Sequence, residues 1–549
     1  MRLSIFGTSV SEIGRAREII GIIVKYGFSE WVSKNGLGKY LVSKKRLARI
    51  GRYNKWERIR MAVDELGPTY IKFGQILADR PDVLPDELRE EFRKLQDEAD
   101  PMPDDVAINE IEKQLMRPID EVFREFDRAR LASASVAQTY RAVLLNGEEV
   151  CVKIQRPDIE KKINLDLNLM KLFAARMQKN NPEMDAINIV GLVDEFGQTI
   201  NKELDFRHEA ANVVRFRHNF EGDADIYVPK VYREFTTGKL IIEEFINGIK
   251  VSQMSELLAA GADPVVLAKN GLRLVFEQIF THGFFHADPH PGNIFIMNGK
   301  TVVFLDYGMM GTLRPEHLNF IGKYVLGYLK RDAREMTEAL LLLSGKRNFS
   351  RLKDLEFQIG DMLAHYKYLS IDEMDFGKVM NESVDIIVRY GLRIPPGIYL
   401  LLKALITIER VAVTLYPQID FAREMEPYAV ALIRKQFSAK QVAQEVLDAV
   451  LDYYKLLKDF PSEINEIIYK IKEGKFKTQI EVKGFEPLTE HIDLASNRVS
   501  AAIVLAALII GASIISQWSQ TRWLGLIVFC AAGVMGFWLL LKLFQKNKF

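Results

Sequence analysis

At 549 residues the chain is too long for one ordinary domain, and a 48% apolar content is ample for more than one core. Its 74 basic and 73 acidic residues leave a net charge of +1, which gives no footing for a nucleic-acid partner. The two cysteines, Cys151 and Cys530, fall in an expected buried strand and an expected membrane helix, so they imply no disulfide framework and fit a reducing compartment.

The opening MRLSIFGTSVSEIGRA has no continuous apolar run, so no signal peptide is expected. Residues 1–60 read as a basic helical region. Ile13 to Val32 mixes large apolar residues with Arg15, Arg17 and Lys25. Such a stretch more often packs on its own domain than on a membrane surface or a partner. Arg46 to Arg60 reads as a solvated basic face. A helix is predicted from about Pro68 to Asp79, stopped by Arg80-Pro81. Lys72 and Gln75 share one face of it and, taken alone, read as surface residues. Pro85 to Glu98 looks helical until Pro101-Met102-Pro103 breaks it.

From Asp104 to Asp127 two helical stretches are predicted, and then the period changes. Leu131 to Leu145 and Glu149 to Ile154, joined by Asn146-Gly147, read as an antiparallel hairpin. Its small-residue stretch, Leu131-Ala132-Ser133-Ala134-Ser135-Val136-Ala137-Gln138, reads as a lid over phosphates. Alanine lets the backbone approach closely but lacks the freedom of glycine, and serine hydroxyls can donate to phosphate oxygens. A stiffer lid than a glycine loop is expected, with altered nucleotide handling. Lys153 ends the run Val-Cys-Val-Lys and suits a point charge on nucleotide phosphates. Asp158 to Glu221 reads as mostly helical and carries Glu203, Asp205 and Glu209. Glu209 is the candidate partner of Lys153, although helical charge runs are more often solvated faces. Strand-like runs at Ile226–Tyr232 and Lys239–Phe245 lead into Glu243-Glu244-Phe245, read as a hinge whose backbone at Glu244 would bond adenine.

Thr281 to Gly308 carries the chemistry. Asp288 is followed five residues later by Asn293, and Asp306 comes thirteen further on. Between them lie two apolar runs around Asn298-Gly299, a hairpin signal. Protein kinases use this order: an Asp orients the acceptor, an Asn and a second Asp hold magnesium. Asn293 and Asp306 would hold Mg²⁺, a hard ion that takes a few oxygen ligands, and Asp288 would orient the attacking hydroxyl or water. Two weaker readings compete: a merely polar turn, and a transition-metal site from His286, Asp288 and His290. After Gly308 only a short path leads to Arg314-Pro315-Glu316, leaving no long segment on which a peptide could dock. Residues 333–473 read as helical, with breaks at Pro395-Pro396 and Pro417.

The tail differs. Val499 to Ile515 and Trp523 to Leu541 are 17 and 19 residues without a charge, each nearly long enough to span a ~30 Å hydrocarbon core. Trp518 and Trp523 suit the interface; Lys483 and Arg498 precede the pair, and Lys542, Lys546 and Lys548 follow it. The positive ends favour a two-pass anchor in the inner or plasma membrane, with the catalytic part cytoplasmic. A buried soluble hairpin is the other reading.

Together these residues resemble the UbiB family of atypical kinases, also called ABC1/ADCK. The resemblance rests on Lys72-Phe73-Gly74-Gln75 (KxGQ), Ala132-Ser133-Ala134-Ser135 (the Ala-rich loop), Glu203-Leu204-Asp205 (ExD) and His286 to Asn293, in that order. Ser133 stands where alanine is frequent, and Tyr307 replaces the Phe of DFG. The resemblance implies an α+β, protein-kinase-like two-lobed fold with an added N-terminal helical KxGQ element and two C-terminal transmembrane helices. It divides the chain at 1–60, 61–105 (KxGQ extension), 106–246 (N-lobe), 247–475 (helical C-lobe), 476–497 (linker) and 498–545 (anchor). It implies a Lys153–Glu209 pair, with the KxGQ helix over the cleft and Lys72 near Glu203, so that Lys72, Gln75, Glu203 and Asp205 become cofactor-site residues. It further implies ATP and Mg²⁺ as cofactors. Its expected partners are membrane lipids, prenylquinone precursors and other quinone-biosynthesis proteins, with no nucleic acid. The implied activity is that of an ATPase or small-molecule or lipid kinase supporting ubiquinone or other prenylquinone synthesis. A protein kinase and a nucleotide-switched lipid scaffold are the alternatives.

Overall fold

The computed structural model describes residues 10–34, 52–95, 101–180, 188–345, 349–366, 376–392 and 394–436, with short stretches between 503 and 534. The chain forms two compact units, Met1–Ala443 and Gln444–Phe549.

The first unit opens with helices α1 (Val10–Lys25), α2 (Ser29–Lys34), α3 (Lys55–Leu66), α4 (Pro68–Ala78), α5 (Asp86–Phe92) and α6 (Asp104–Leu115). α3 starts at a capping box in which Asn54 accepts from the Glu57 amide and Glu57 accepts from the Asn54 amide. α4 begins at Pro68, whose fixed φ suits a first helical position.

Strands β1 (Phe123–Ser133), β2 (Ala137–Leu144), β3 (Glu149–Gln155) and β5 (Leu240–Glu244) form one antiparallel sheet in the order β1-β2-β3-β5, with β4 (Ile226–Tyr227) belonging elsewhere. Here the sequence expectation needs correcting. Phe123 to Asp127 is strand, not helix, and Leu131 to Leu145 is not one strand but two, parted by a turn at 134–136. β1 is an edge strand that buries Phe123 and little else, so it carries no period-2 apolar signal. In β3 the alternation is clean. Val150, Val152 and Ile154 enter a core with Ala107, Ile111 and Leu115 of α6, which turns Cys151 and Lys153 to the opposite face.

Helices α7 (Ile159–Asn180), α8 (Ile189–Glu203) and α9 (Phe206–Asn219) connect the central strands. Beyond β5 come β6 (Ile249–Lys250), α10 (Met254–Ala259) and α11 (Pro264–Phe276), the last extended by one π turn, Glu277–Thr281. β7 (Phe284–His286), β8 (Ile294–Met297), β9 (Thr301–Phe304) and β10 (Met310–Thr312) follow, and the helices are α12 (Pro315–Lys330), α13 (Ala333–Ser344), α14 (Leu352–His365), α15 (Phe376–Arg389), α16 (Pro396–Leu415) and α17 (Phe421–Gln436). The second sheet runs β4-β9-β8-β6. Its β8–β9 hairpin turns at Asn298 (φ 51°) and Gly299 (φ 71°), both left-handed, as the Asn-Gly signal requires. β7 and β10 form a separate antiparallel pair that the sequence did not announce. A Cβ at Gly311 would lie 2.1 Å from the Phe285 ring, so only glycine permits that pairing.

A buried charge ties the helical front to the rest. Asp166 on α7, fully buried, accepts from Arg15 on α1 at 2.7 and 3.1 Å and from the Thr69 hydroxyl on α4 at 2.8 Å. In the second unit the described residues, 503–504, 506–514, 523 and 527–534, are helical, and Ile510, Ile514, Phe529 and Val534 are exposed. No helix among the described residues is long and apolar enough to cross a membrane. Most of the expected second span, the linker and residues 437–475 lie outside the described residues.

Removing Asp166 takes from buried Arg15 its buried counter-ion and leaves only the exposed Glu18 carboxylate at 2.9 Å. We therefore expect Asp166→Ala to lower unfolding free energy by about 3–5 kcal/mol. Urea denaturation of the full chain checks this, and a loss below about 1 kcal/mol contradicts it.

Candidate active site

β3 and α9 present the first pair. Lys153 Nζ lies 2.9 and 3.0 Å from the two Glu209 carboxylate oxygens, and 3.7 Å from Asp306 Oδ1. Glu209 is held in place because Phe206 and Ala210 on its helix pack against Ile241 of β5 and Ala137 of β2. Burial alone would push the Lys153 ammonium down; the carboxylates of Glu209, Asp306 and Glu243 outweigh it and hold the charge on. The same lysine holds the Asp306 carboxyl below its ordinary value, against the opposing effect of burial.

Asp306 sits in the left-handed region (φ 62°), a conformation that aspartate tolerates better than bulkier residues. The flanking Tyr307 is buried against Phe216 at 5.1 Å, and its carbonyl accepts from Asn212 of α9 at 2.9 Å. So the turn that presents Asp306 is fixed to the helix that presents Glu209. Asp288 and Asn293 are joined by a contact from the Asn293 amide nitrogen to the Asp288 carbonyl at 3.4 Å. This leaves the Asn293 side-chain oxygen as an acceptor beside the loop. One amide oxygen and one carboxylate make a hard donor set that fits Mg²⁺.

The transition-metal reading is set aside. Both His286 nitrogens face the backbone: Nδ1 accepts from the Asp288 amide at 3.2 Å, and Nε2 then carries the proton and donates to the Leu305 carbonyl at 3.0 Å. Burial also holds this imidazole below its ordinary value, hence neutral. No group of three or more His, Cys, Asp or Glu so placed that it could hold a metal ion occurs among the described residues.

The Ala/Ser loop is clamped from two directions. Arg156 donates to the Ala134 carbonyl at 2.9 Å and to the Ser133 hydroxyl at 2.8 Å, while Val136 is buried with Ile163, Phe196 and Leu204. Leu131, Ala132 and Ala134 are exposed. Ser135 Oγ is buried without a hydrogen-bond partner, an orphan hydroxyl in the loop expected to cover phosphates.

α4 crosses the site. Lys72 pairs with Glu203 at 2.8 Å, and its charge reaches Asp306. At the other end Asp79 lies 3.8 Å from Lys403, which also lies 3.3 Å from Asp288 Oδ1. Gly74 lets α4 close on α5 and the turn after it, where a Cβ would meet Leu95 at 2.6 Å.

Three predicted site side chains are engaged elsewhere, and a fourth residue is read for its backbone alone. The Gln75 amide donates to the Leu95 carbonyl at 3.2 Å, inside the cover itself. Gln138 is fully buried and bonds both backbone polar groups of Met102, so its side chain serves the N-lobe core. Asp205 caps α9 and pairs with Arg207 at 2.7 Å. Glu244 is read for its backbone; its amide donates to the Lys230 carbonyl at 2.8 Å, while its carboxylate accepts from the Tyr227 hydroxyl at 2.7 Å and the Lys230 amide at 3.0 Å. Strand alternation explains the last. Glu243, its neighbour, pairs in register with Cys151 and takes the face that carries Lys153. Sequence reading missed Glu243, Arg156, Asp79 and Lys403. Alternation from Lys153 could have found Glu243; nothing local marks Lys403.

The Glu243 carboxyl is pushed up to about 8, by burial first and then by Glu209. Between its unfolded value near 4.5 and about 8 the folded chain keeps a proton that the unfolded chain has lost. Stability therefore falls as pH rises through that window. Glu243→Gln removes this loss. We expect its melting temperature to exceed the parent's at pH 8.5 and to match it near pH 4.5; a constant offset at both contradicts the assignment.

Comparison with known proteins follows the same lines. A family model described as the ABC1 atypical kinase-like domain matches residues 94–340. The UbiB helical domain matches 359–420, and the ABC1/UbiB kinase-like C-terminal domain matches 483–545. A protein named "Probable protein kinase UbiB" from Aeromonas hydrophila is 32% identical over 548 residues, covering 96% of this chain and 98% of that one. Its namesake from Marinobacter nauticus is 31% identical over 476 residues, covering 86% and 87%. A solved complex of Rv3197 with erythromycin from Mycobacterium tuberculosis overlaps at 22% identity and a TM-score of 0.35, covering 66% of this chain and 96% of that one. With three family segments matched in order and relatives aligned almost end to end, the chain belongs to the UbiB family of ABC1 atypical kinase-like proteins.

Proposed function

We propose that the protein is a membrane-anchored, Mg²⁺-ATP-dependent kinase-like enzyme acting on a small acceptor or on water, in support of ubiquinone or other prenylquinone or lipid synthesis. The observation that carries this reading is the Lys153–Glu209 pair with Asp306 at 3.7 Å from the same ammonium. Lys153 would neutralise nucleotide phosphates, under the loop Leu131 to Gln138 with the Ser135 hydroxyl as donor. Asn293 and Asp306 would hold Mg²⁺, which supplies charge stabilisation for the transferring phosphoryl group. Asp288 would accept the proton of the attacking O–H as the new O–P bond forms to the γ-phosphorus. The bond from that phosphorus to the β–γ bridging oxygen breaks, and ADP leaves with its electron pair.

Transfer to protein is the second reading, favoured by the relatives' name. Two features weigh against it. β10 is paired to β7, so the chain after Asp306 is fastened to the strand that leads into the catalytic loop, and α4 lies across the site. The anchor reading draws on the charge-free tail and on the apolar residues exposed there, and the prenylquinone reading on the family. Prenylated precursors live in the bilayer, where a tail anchor would keep Asp288 within reach.

The test is ATP turnover by the full chain, with and without anionic liposomes and a prenylphenol probe, alongside a search for phosphorylated product and a peptide-library control. We expect turnover to rise with membranes and probe, and peptides to remain unlabelled. Robust peptide labelling overturns the choice of acceptor; no turnover under any condition leaves only the nucleotide-switched scaffold.

A further inference from the structure

Asp288 is followed by Pro289, His290, Pro291 and Gly292, so the catalytic loop carries no Lys or Arg of its own. A group that must orient a nucleophile beside a triphosphate needs positive charge nearby, both to stay ionised and to oppose the accumulating phosphoryl charge. Here the cation comes from far along the chain. Lys403 on α16 places Nζ 3.3 Å from Asp288 Oδ1, with each side chain 28% exposed. α16 lies within the segment matched by the UbiB helical domain.

The same ammonium lies 3.8 Å from Asp79 Oδ2, at the end of α4. One turn back on α16, Tyr399 lies beneath the guanidinium of Arg80 at 4.9 Å, so this face of α16 seats the end of the covering helix. Burial holds the Asp79 carboxyl above its ordinary value, with Lys403 opposing. Two carboxylates therefore share one cation, at 3.3 and 3.8 Å, and neither contact is a short one.

We propose that Lys403 is a positioning residue that holds Asp288 toward the acceptor and couples this orientation to the seating of α4. With α4 seated, the ammonium is divided between Asp79 and Asp288. When α4 moves away, Asp79 leaves and the charge is released to Asp288 and to incoming phosphoryl oxygens. This rests on Asp288 being the residue that orients the acceptor.

The test uses the full chain in lipid nanodiscs, comparing Lys403→Met, Lys403→Arg and Asp79→Asn with the parent. kcat and KM for ATP are measured separately, and amide hydrogen exchange is followed over residues 68–84. Lys403→Met should lower kcat about 10²-fold, the size of loss seen when one charge-stabilising donor is removed. KM should stay within about threefold, and exchange over 68–84 should quicken. Lys403→Arg should restore most of kcat, and Asp79→Asn should raise it above the parent's. The proposal is overturned if Lys403→Met keeps kcat within about twofold of the parent, or if kcat and KM deteriorate together without rescue by arginine. Should the parent fail to turn over ATP, the functional reading falls by itself. The exchange measurement still decides the lysine: quickened exchange in Lys403→Met supports the tie and unchanged exchange overturns it.

Discussion

The site depends on carboxylates crowded into one region and answered by cations. Glu203, Glu209, Asp306, Asp288 and Asp79 meet within one region, and three lysines answer them: Lys72 from α4, Lys153 from β3 and Lys403 from α16. Lys153–Glu209, with the carboxylate buried, is the strongest of these ties, and the partly exposed contacts of Lys72 and Lys403 bring the other two segments to it. Glu243 shows the cost of being left over. It has no lysine of its own and is driven toward its neutral form.

This constraint gives the site its rigidity. The Ala/Ser loop is held by Arg156 on one side and by the burial of Val136 on the other. The turn carrying Asp306 is fastened through Asn212, and the strand after it is paired to β7. A glycine loop would let the backbone adapt to each nucleotide; alanine and a guanidinium clamp trade that freedom for a preformed cradle. On the proposed reading such a site suits a small or membrane-held acceptor, because α4 occupies the approach that an extended peptide would need.

Much of this was legible in the residues. The Asn298-Gly299 turn, the β8–β9 hairpin, helix α4 and the short path after Gly308 follow from local signals, and all are present in the fold. What escaped is what depends on distance. β1 shows no alternation because it is an edge strand, and β7 with β10 is too short to have a period. Gln75, Gln138 and Asp205 carry suitable side chains, yet each is taken by a neighbouring backbone group or cap. Lys403 lies 115 residues from Asp288, on a helix with no distinguishing motif, and only packing brings the two together.

The measurement that bears most directly on this account is nucleotide binding by calorimetry on the full chain, with Mg²⁺ and with chelator, for the parent and for Asp306→Asn. The account predicts ATP binding by the parent that weakens on chelation, and an Asp306→Asn variant that stays folded but shows no gain from Mg²⁺. Equal binding by both proteins, with or without the metal, would contradict it.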